Sequence, residues 1–342
     1  MTGPSVAATF VYVANADSRD ISVLRLDLTT GVLEPVERVP VEGTVMPLTV
    51  SPDRRFLYAS IRSEPLEVLS FAIEPASGRL AHIGRAPLPA SMCWIGTDAS
   101  GRFLLGASYG ASLVAVGPID ANGVAQAAQQ SVATPANAHA VRTDPRNRFL
   151  FAACLGGGVV LGFPFDAATG RIGVEAPVSW TARPGAGPRH FAFHPAMPVA
   201  YLLNELDGWI DVLAFDTERG IFAKMQTIDA NAPGLEGAPW AADIHVSPDG
   251  RFVYSCERRG STLAAFAVDA RSGRLRLVGH VPTETQPRSF AIDASGRWLV
   301  AVGQLSDRAR VYAIDDSSGA LRPCAEAPVG ANANWVEIVS LP

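Results

Sequence analysis

The chain has 342 residues, a formal net charge of -5, and 48% hydrophobic against 18% charged residues. This composition supplies a large core and excludes a disordered chain, while the mild acidity excludes the basic surface that nucleic acid or an anionic membrane requires. No apolar run approaches the roughly 18 residues of a membrane span. The four cysteines (Cys93, Cys154, Cys256, Cys324) are scattered without a CxxC pair, so neither a disulfide framework nor a zinc site is expected, and a reducing cytoplasm fits.

In chain order, MTGPSVAATF has no basic segment followed by an apolar one, so no signal peptide is expected. TFVYVAN then reads as a first strand. From there two signals alternate to the end. One is a turn of an acidic residue, small or polar residues and Gly: DLTTG (Asp27–Gly31), EPASG (Glu74–Gly78), DANG (Asp120–Gly123), DAATG (Asp166–Gly170), DTERG (Asp216–Gly220), DARSG (Asp269–Gly273) and DSSG (Asp316–Gly319). Successive glycines lie 45 to 53 residues apart. Asp bonds its own backbone in such turns and Gly accepts positive φ. The other signal is a polar turn followed by an apolar strand, as in SPDRRFLYAS, DASGRFLLGAS and SPDGRFVYSCE, with strand anchors at Phe10, Phe56, Phe103, Phe149, Val199, Phe252 and Trp298.

Several short strands per unit, repeated seven times without a helical period, predict an all-β, seven-bladed β-propeller occupying residues 1–342 as a single domain. Stacked β-sandwiches do not explain a constant period. The first unit lacks the strand that precedes the polar turn elsewhere, and NWVEIV (Asn334–Val339) has the missing pattern. It is expected to pair with the Phe10 strand and close the ring, removing an open edge.

The strand before each polar turn carries mostly apolar residues eight and six positions before the anchor, on one face. Ten before the anchor come Met46, Cys93, His139, Arg189, Ala242 and Arg288, with Trp335 placed in the closing strand by its pattern. Buried charge needs a partner or a ligand, so His139, Arg189 and Arg288 are predicted to meet at one mouth of the channel. The next strand ends beside them with Arg62, Glu205, Arg258 and Gln304; Asn204 precedes the carboxylate, and Asp243 lies one step into its strand. Asp229–Trp240 is expected to be either a loop over this mouth or a flap. His190 and His194 mimic a metal pair, but four residues of strand span about 13 Å, too far for one ion. His194 stands at a turn position and reads as structural; His245 reads as a hydrogen-bonded strand histidine. GASYG (Gly106–Gly110) fits a nucleophile elbow but ends a strand rather than opening a helix, and GGG at 156–158 lacks the helix of a phosphate loop. No cofactor motif is found.

GAGPRHFAFHP, NELDG, WAADIHVSPDGRFVY, TETQPRSF and AVGQ resemble the seven-bladed propeller family of 6-phosphogluconolactonases across essentially the whole chain, and more distantly the fungal carboxymuconate-lactonising enzymes. The resemblance implies metal-independent hydrolysis of a sugar-acid lactone, while cysteine usage and charge add the expectation of a cytoplasmic protein without nucleic-acid or membrane partners. It implies a site of His139, Arg189, Glu205 and Arg258, firmest at Arg189 and Glu205. Arg288, His190, Asp243, Asn204, Gln304 and Trp335 are the expected substrate-binding neighbours. Water activation falls to Glu205 or His139. An unphosphorylated aldonic or aldaric lactone is the alternative substrate, and a non-catalytic binding platform the alternative function.

Overall fold

The computed structural model describes residues 8–175 and 178–341. Residues 1–7, most of the stretch read above for a leader, lie outside them. Seven antiparallel sheets follow one another along the chain, six of four strands and one of five, and no helix occurs among the described residues. Each sheet is a blade. The inner strands are Val45–Val50, Trp94–Thr97, Ala138–Thr143, Pro188–Phe193, Ala241–Val246, Pro287–Ile292 and, from the end of the chain, Ala333–Leu341. That last strand pairs with Ala8–Asn15, Ala8 opposite Leu341 and Phe10 opposite Val339, so the first blade contains both ends of the described chain. We number the blades by their anchors, from Phe10 in blade 1 to Trp298 in blade 7.

The two sequence signals prove to be two halves of one contact. A Cβ added to Gly78 would lie 2.3 Å from the Phe10 ring of the preceding blade, and one on Gly319 would lie 2.2 Å from Phe252. The same holds for Gly31 on Trp298, Gly123 on Phe56, Gly170 on Phe103, Gly220 on Phe149 and Gly273 on Val199. These glycines have φ between 67° and 83°, so backbone conformation and lack of space both demand Gly. Tyr12, Tyr201 and Tyr254 reinforce the contact by donating their hydroxyls to the carbonyls of Gly78, Gly273 and Gly319.

The polar turns have a cause of the same kind. Asp98, Asp144 and Asp293 each accept from the amide of the anchor five residues later, and Ser51 and Ser247 do so through Oγ. His194 replaces them in blade 5: Nδ1 accepts from the amides of Ala196 and Met197, and the ring reaches the Gly250 carbonyl. It is a turn-holding residue.

The core lies between blades. Leu48, Ile95, Val141, Phe191, Ile244 and Phe290, the inner-strand set eight before the anchors, are all buried in inter-blade clusters. Apart from Ile95, which reaches the cavity at one mouth, they do not line the channel; the alternate residues do. The reason is a β-bulge at the start of every inner strand except Trp94–Thr97, whose pairing is regular and which Cys93 precedes in the matching place. Pro188 pairs with Asn204 and His190 with Leu203, so Arg189 is the extra residue, and the period of two connecting it to Phe191 is broken there. His139 and Arg288 are the extra residues of their own strands. In the closing strand the extra residue is Asn334, not Trp335, because Ala333 pairs with Asn15 and Trp335 with Ala14. The sequence placement of Trp335 is thus one position out: it is the counterpart of His190, and Asn334 is the counterpart of Arg189.

Candidate active site

Two rings of equivalent side chains follow from this register. The bulge ring, at what we call the near mouth, consists of Met46, Cys93, His139, Arg189, Ala242, Arg288 and Asn334. One residue further on is a middle ring of Pro47, Trp94, Ala140, His190, Asp243, Ser289 and Trp335.

At the near mouth, Arg189 is wholly buried. Its Nε donates to Glu205 Oε2 at 2.7 Å and one terminal nitrogen donates to the Ala242 carbonyl, leaving the other terminal nitrogen buried without a partner. Arg258 also forms an ion pair with Glu205 Oε2 at 2.7 Å. It reaches the carbonyls of Trp240 and Ala241 at 3.1 Å and stacks on the Trp240 indole at 3.9 Å. One carboxylate oxygen therefore holds two guanidinium groups. Arg288 is buried with Nε unpartnered, and Arg62 donates to Ser91 Oγ at 3.0 Å. These arginines feel one another. Burial, then Arg189 and Arg258, pull Arg288 down to about 9; burial, then Arg189, pull Arg258 down to about 10, against the opposing pull of Glu205.

His139 is 4% exposed, and Nδ1 has no partner. Burial, followed by Arg189, His190, Arg288 and Arg258, holds its pKa well below the usual imidazole value, so it is neutral at pH 7. Its ring sits edge-on to Tyr109 at 5.9 Å and to His190 at 5.0 Å. His190 in turn bonds Asp243 through Nδ1 at 2.8 Å, which leaves Nε2 buried and bare. Burial, then Arg189, lowers His190 to about 3 despite that bond. A neutral His190 donating from Nδ1 is the tautomer Asp243 selects.

The structure therefore gathers His139, Arg189, Glu205, Arg258 and Arg288 at the near mouth, with His190 and Asp243 directly beneath. Three expected neighbours are elsewhere. Asn204 donates to the Trp209 carbonyl and to Asp211, tying its own blade together. Gln304 bonds Gln286 and Asn332 along the rim between blades. Trp335 belongs to the middle ring, packed 6.1 Å from His190 with its indole N–H on Glu337 at 3.0 Å. The Asp229–Trp240 loop contributes Trp240 as the platform under Arg258, and it is anchored by Asn231 to Asp207 and by Arg259 to Ala238. Cys93, whose thiol reaches the Ala107, Ala138 and His139 carbonyls, completes the ring as an inert filler: burial pushes its pKa up.

A cavity of about 600 Å³ opens at the opposite, far mouth. It is separated from the arginines by the middle ring, of which Trp94, Asp243, Ser289 and Trp335 form its inner end. The open volume and the cluster of arginines around Glu205 thus lie at different ends of the channel. The unpartnered donors and the neutral imidazole make the near mouth the better candidate for chemistry. The far mouth was not legible in the sequence, because its charges stand singly in strands read as wall.

Fold and site together define a seven-bladed β-propeller with arginines, a carboxylate and a neutral histidine gathered at one mouth. The chain matches the family described as lactonase, 7-bladed beta-propeller, over residues 8–338, and it belongs to that family. It is 40% identical over 331 residues to the 6-phosphogluconolactonase of Pectobacterium carotovorum subsp. carotovorum (strain PC1), covering 97% of this chain and 98% of that protein. It is 40% identical over 330 residues to the 6-phosphogluconolactonase of Serratia proteamaculans (strain 568), covering 96% and 98%. Among solved structures, the periplasmic gluconolactonase of Pseudomonas aeruginosa superposes with a TM-score of 0.89 at 29% identity, covering 98% of this chain and all of the other. The protein is a lactonase, an ester-hydrolysing enzyme.

Proposed function

We propose that the near mouth hydrolyses the lactone of a sugar acid, with 6-phosphogluconolactone as the first substrate to test. The observation that carries this reading is the imbalance at the mouth: Arg62, Arg189, Arg258 and Arg288 face a single paired carboxylate, Glu205, and Arg189 keeps a buried N–H group with nothing to bind. An unpaired buried guanidinium donor is costly unless an anion completes it.

In this reading the unpartnered Arg189 nitrogen holds the oxyanion that forms as water adds to the lactone carbonyl. Arg258 and Arg288 hold the substrate's anionic group, and Glu205 fixes the spacing of Arg189 and Arg258. Neutral His139 takes the proton from the attacking water and returns it to the ring oxygen as the ring carbon–oxygen bond breaks. Its depressed pKa is a consequence of neighbouring cations, and an anionic substrate offsets those charges. His139 therefore becomes more basic once substrate is bound. Between the two bases left open by the sequence we favour His139, because both guanidinium groups of the pair end on Glu205.

A phosphate would be held by arginine. The lone lysine, Lys224, is exposed on the outer strand Ile221–Asp229 of its blade and does not serve this mouth. The test is turnover of 6-phosphogluconolactone against glucono-lactone at equal concentration, corrected for spontaneous hydrolysis, by the wild type and by His139→Asn. A higher kcat/KM for the phosphorylated lactone supports the first substrate, and the reverse supports the unphosphorylated alternative. Loss of about 100-fold or more in His139→Asn supports the base; unchanged turnover rejects it.

A further inference from the structure

Two residues beyond the middle ring, the same register defines a third ring, and it too is unevenly charged. Arg142 pairs with Phe151, His245 with Tyr254 and Glu337 with Tyr12, three equivalent inner-strand positions. All three line the far cavity, with Trp94, Trp335 and Asp243 behind them.

These groups differ in how far they are satisfied. Asp243 is fully engaged by His190 at 2.8 Å, by its neighbour's amide at 3.0 Å and by His245 at 3.2 Å. Glu337 accepts the Trp335 N–H at 3.0 Å. Arg142 lies over the Trp94 ring at 5.3 Å and has no ion pair or hydrogen bond among the described residues, although it opens on the cavity. The cavity thus offers one cation with five unused donors, indole surface, and carboxyl and imidazole groups able to bond hydroxyls. Its 600 Å³ is the size of a small-molecule site.

We propose that the far mouth is a second binding site, distinct from the lactonase site, for a small polyhydroxylated carboxylate whose carboxyl group binds Arg142. A carboxylate suits the guanidinium fork, hydroxyls suit the mixed donors and acceptors, and a C–H face suits the indoles. Burial pushes the Glu337 carboxyl up to about 7, against Trp335, His245 and Arg142 and with the help of Asp243, so around neutrality it carries less charge to repel such a ligand. The choice of an aldonate as probe rests on the lactonase reading; the existence of the site does not.

The test is titration of the full chain with D-gluconate, with a crystal soak to locate it. Wild type, Arg142→Gln, Arg142→Lys and Arg189→Lys are compared at matched melting temperature. The expected result is far-mouth density with its carboxylate on Arg142, affinity at that site at least tenfold weaker in Arg142→Gln, partial recovery in Arg142→Lys, and no change at that site in Arg189→Lys. Empty far-mouth density at saturation, or affinity unaltered by Arg142→Gln, would overturn the proposal. Equal binding of D-glucose would overturn the carboxylate assignment. Should gluconate fill the far mouth while no lactone is turned over, the lactonase assignment of the near mouth falls and this site stands.

Discussion

Arg189 shows at the residue scale how a buried charge is held ready. Its Nε and one terminal nitrogen are fixed by Glu205 and Ala242, and the remaining nitrogen is buried without a partner. Removing one partner of a buried ion pair typically costs about 3–5 kcal/mol, so Glu205→Ala should lower the melting temperature as well as activity, because Arg189 and Arg258 lose their shared acceptor. His139 makes a separate prediction about pH. Its folded pKa lies well below the ordinary imidazole value, so in the free enzyme it stays deprotonated under mildly acidic conditions. The acidic limb of kcat/KM against pH should accordingly fall well below pH 6.5, and a limb at or above 6.5 would remove His139 from the role of base.

Two buried groups set stability against pH in opposite directions. His190 is depressed from about 6.5 to about 3, so its contribution is full above the unfolded value and is lost as pH falls from there toward 3. Glu337 is raised to about 7, so its contribution is full below the unfolded carboxylate value and is lost as pH rises through 7. Denaturation profiles of Glu337→Gln should therefore gain on the wild type above pH 7 and show no gain at pH 4; a constant difference across that range would contradict the assignment.

The element that repeats is a glycine turn seated on an aromatic or branched anchor of the preceding blade, and it invites a paired comparison. Gly319→Ala places a methyl group 2.2 Å from Phe252 at φ 76°, whereas Gly158→Ala has φ 66° and open space around it. The second substitution should cost about 1 kcal/mol for backbone strain alone. The first should cost that plus about 1–3 kcal/mol of overpacking, measured by urea denaturation; equal losses would mean that the ring gives way freely. At this scale the sequence was legible where spacing mattered, since seven turns and seven anchors mark the blades. It was not legible at the bulges. One inserted residue moves the axial face from Phe191 to His190, shifts Trp335 by one place, and hides the shared position of Arg142, His245 and Glu337. No residue type in RHFAF or NWVEI announces a bulge.

At the scale of the whole molecule, ring closure through Ala333–Leu341 turns seven sheets into a rigid frame around one axis, with two chemically different ends. Truncation before Ala333 would expose the edge of Ala8–Asn15 and leave the inner position of blade 1 empty. It should give aggregation and loss of a single cooperative transition; a soluble, cooperatively folding truncation would contradict the closure argument. Near-mouth candidates were legible because His139, Arg189 and Arg288 break an apolar frame. Asn204 and Gln304 shared the rim by count but not by contact, since their amides bond within and between blades. The central claim is that the near mouth carries out lactone hydrolysis. Arg189→Lys tests it most directly, since lysine keeps the charge beside Glu205 and removes the unpartnered guanidinium nitrogen. Measured on 6-phosphogluconolactone and glucono-lactone with the fold verified by melting temperature, kcat/KM should fall about 100-fold or more. Wild-type turnover of both lactones by a folded Arg189→Lys protein would contradict the account.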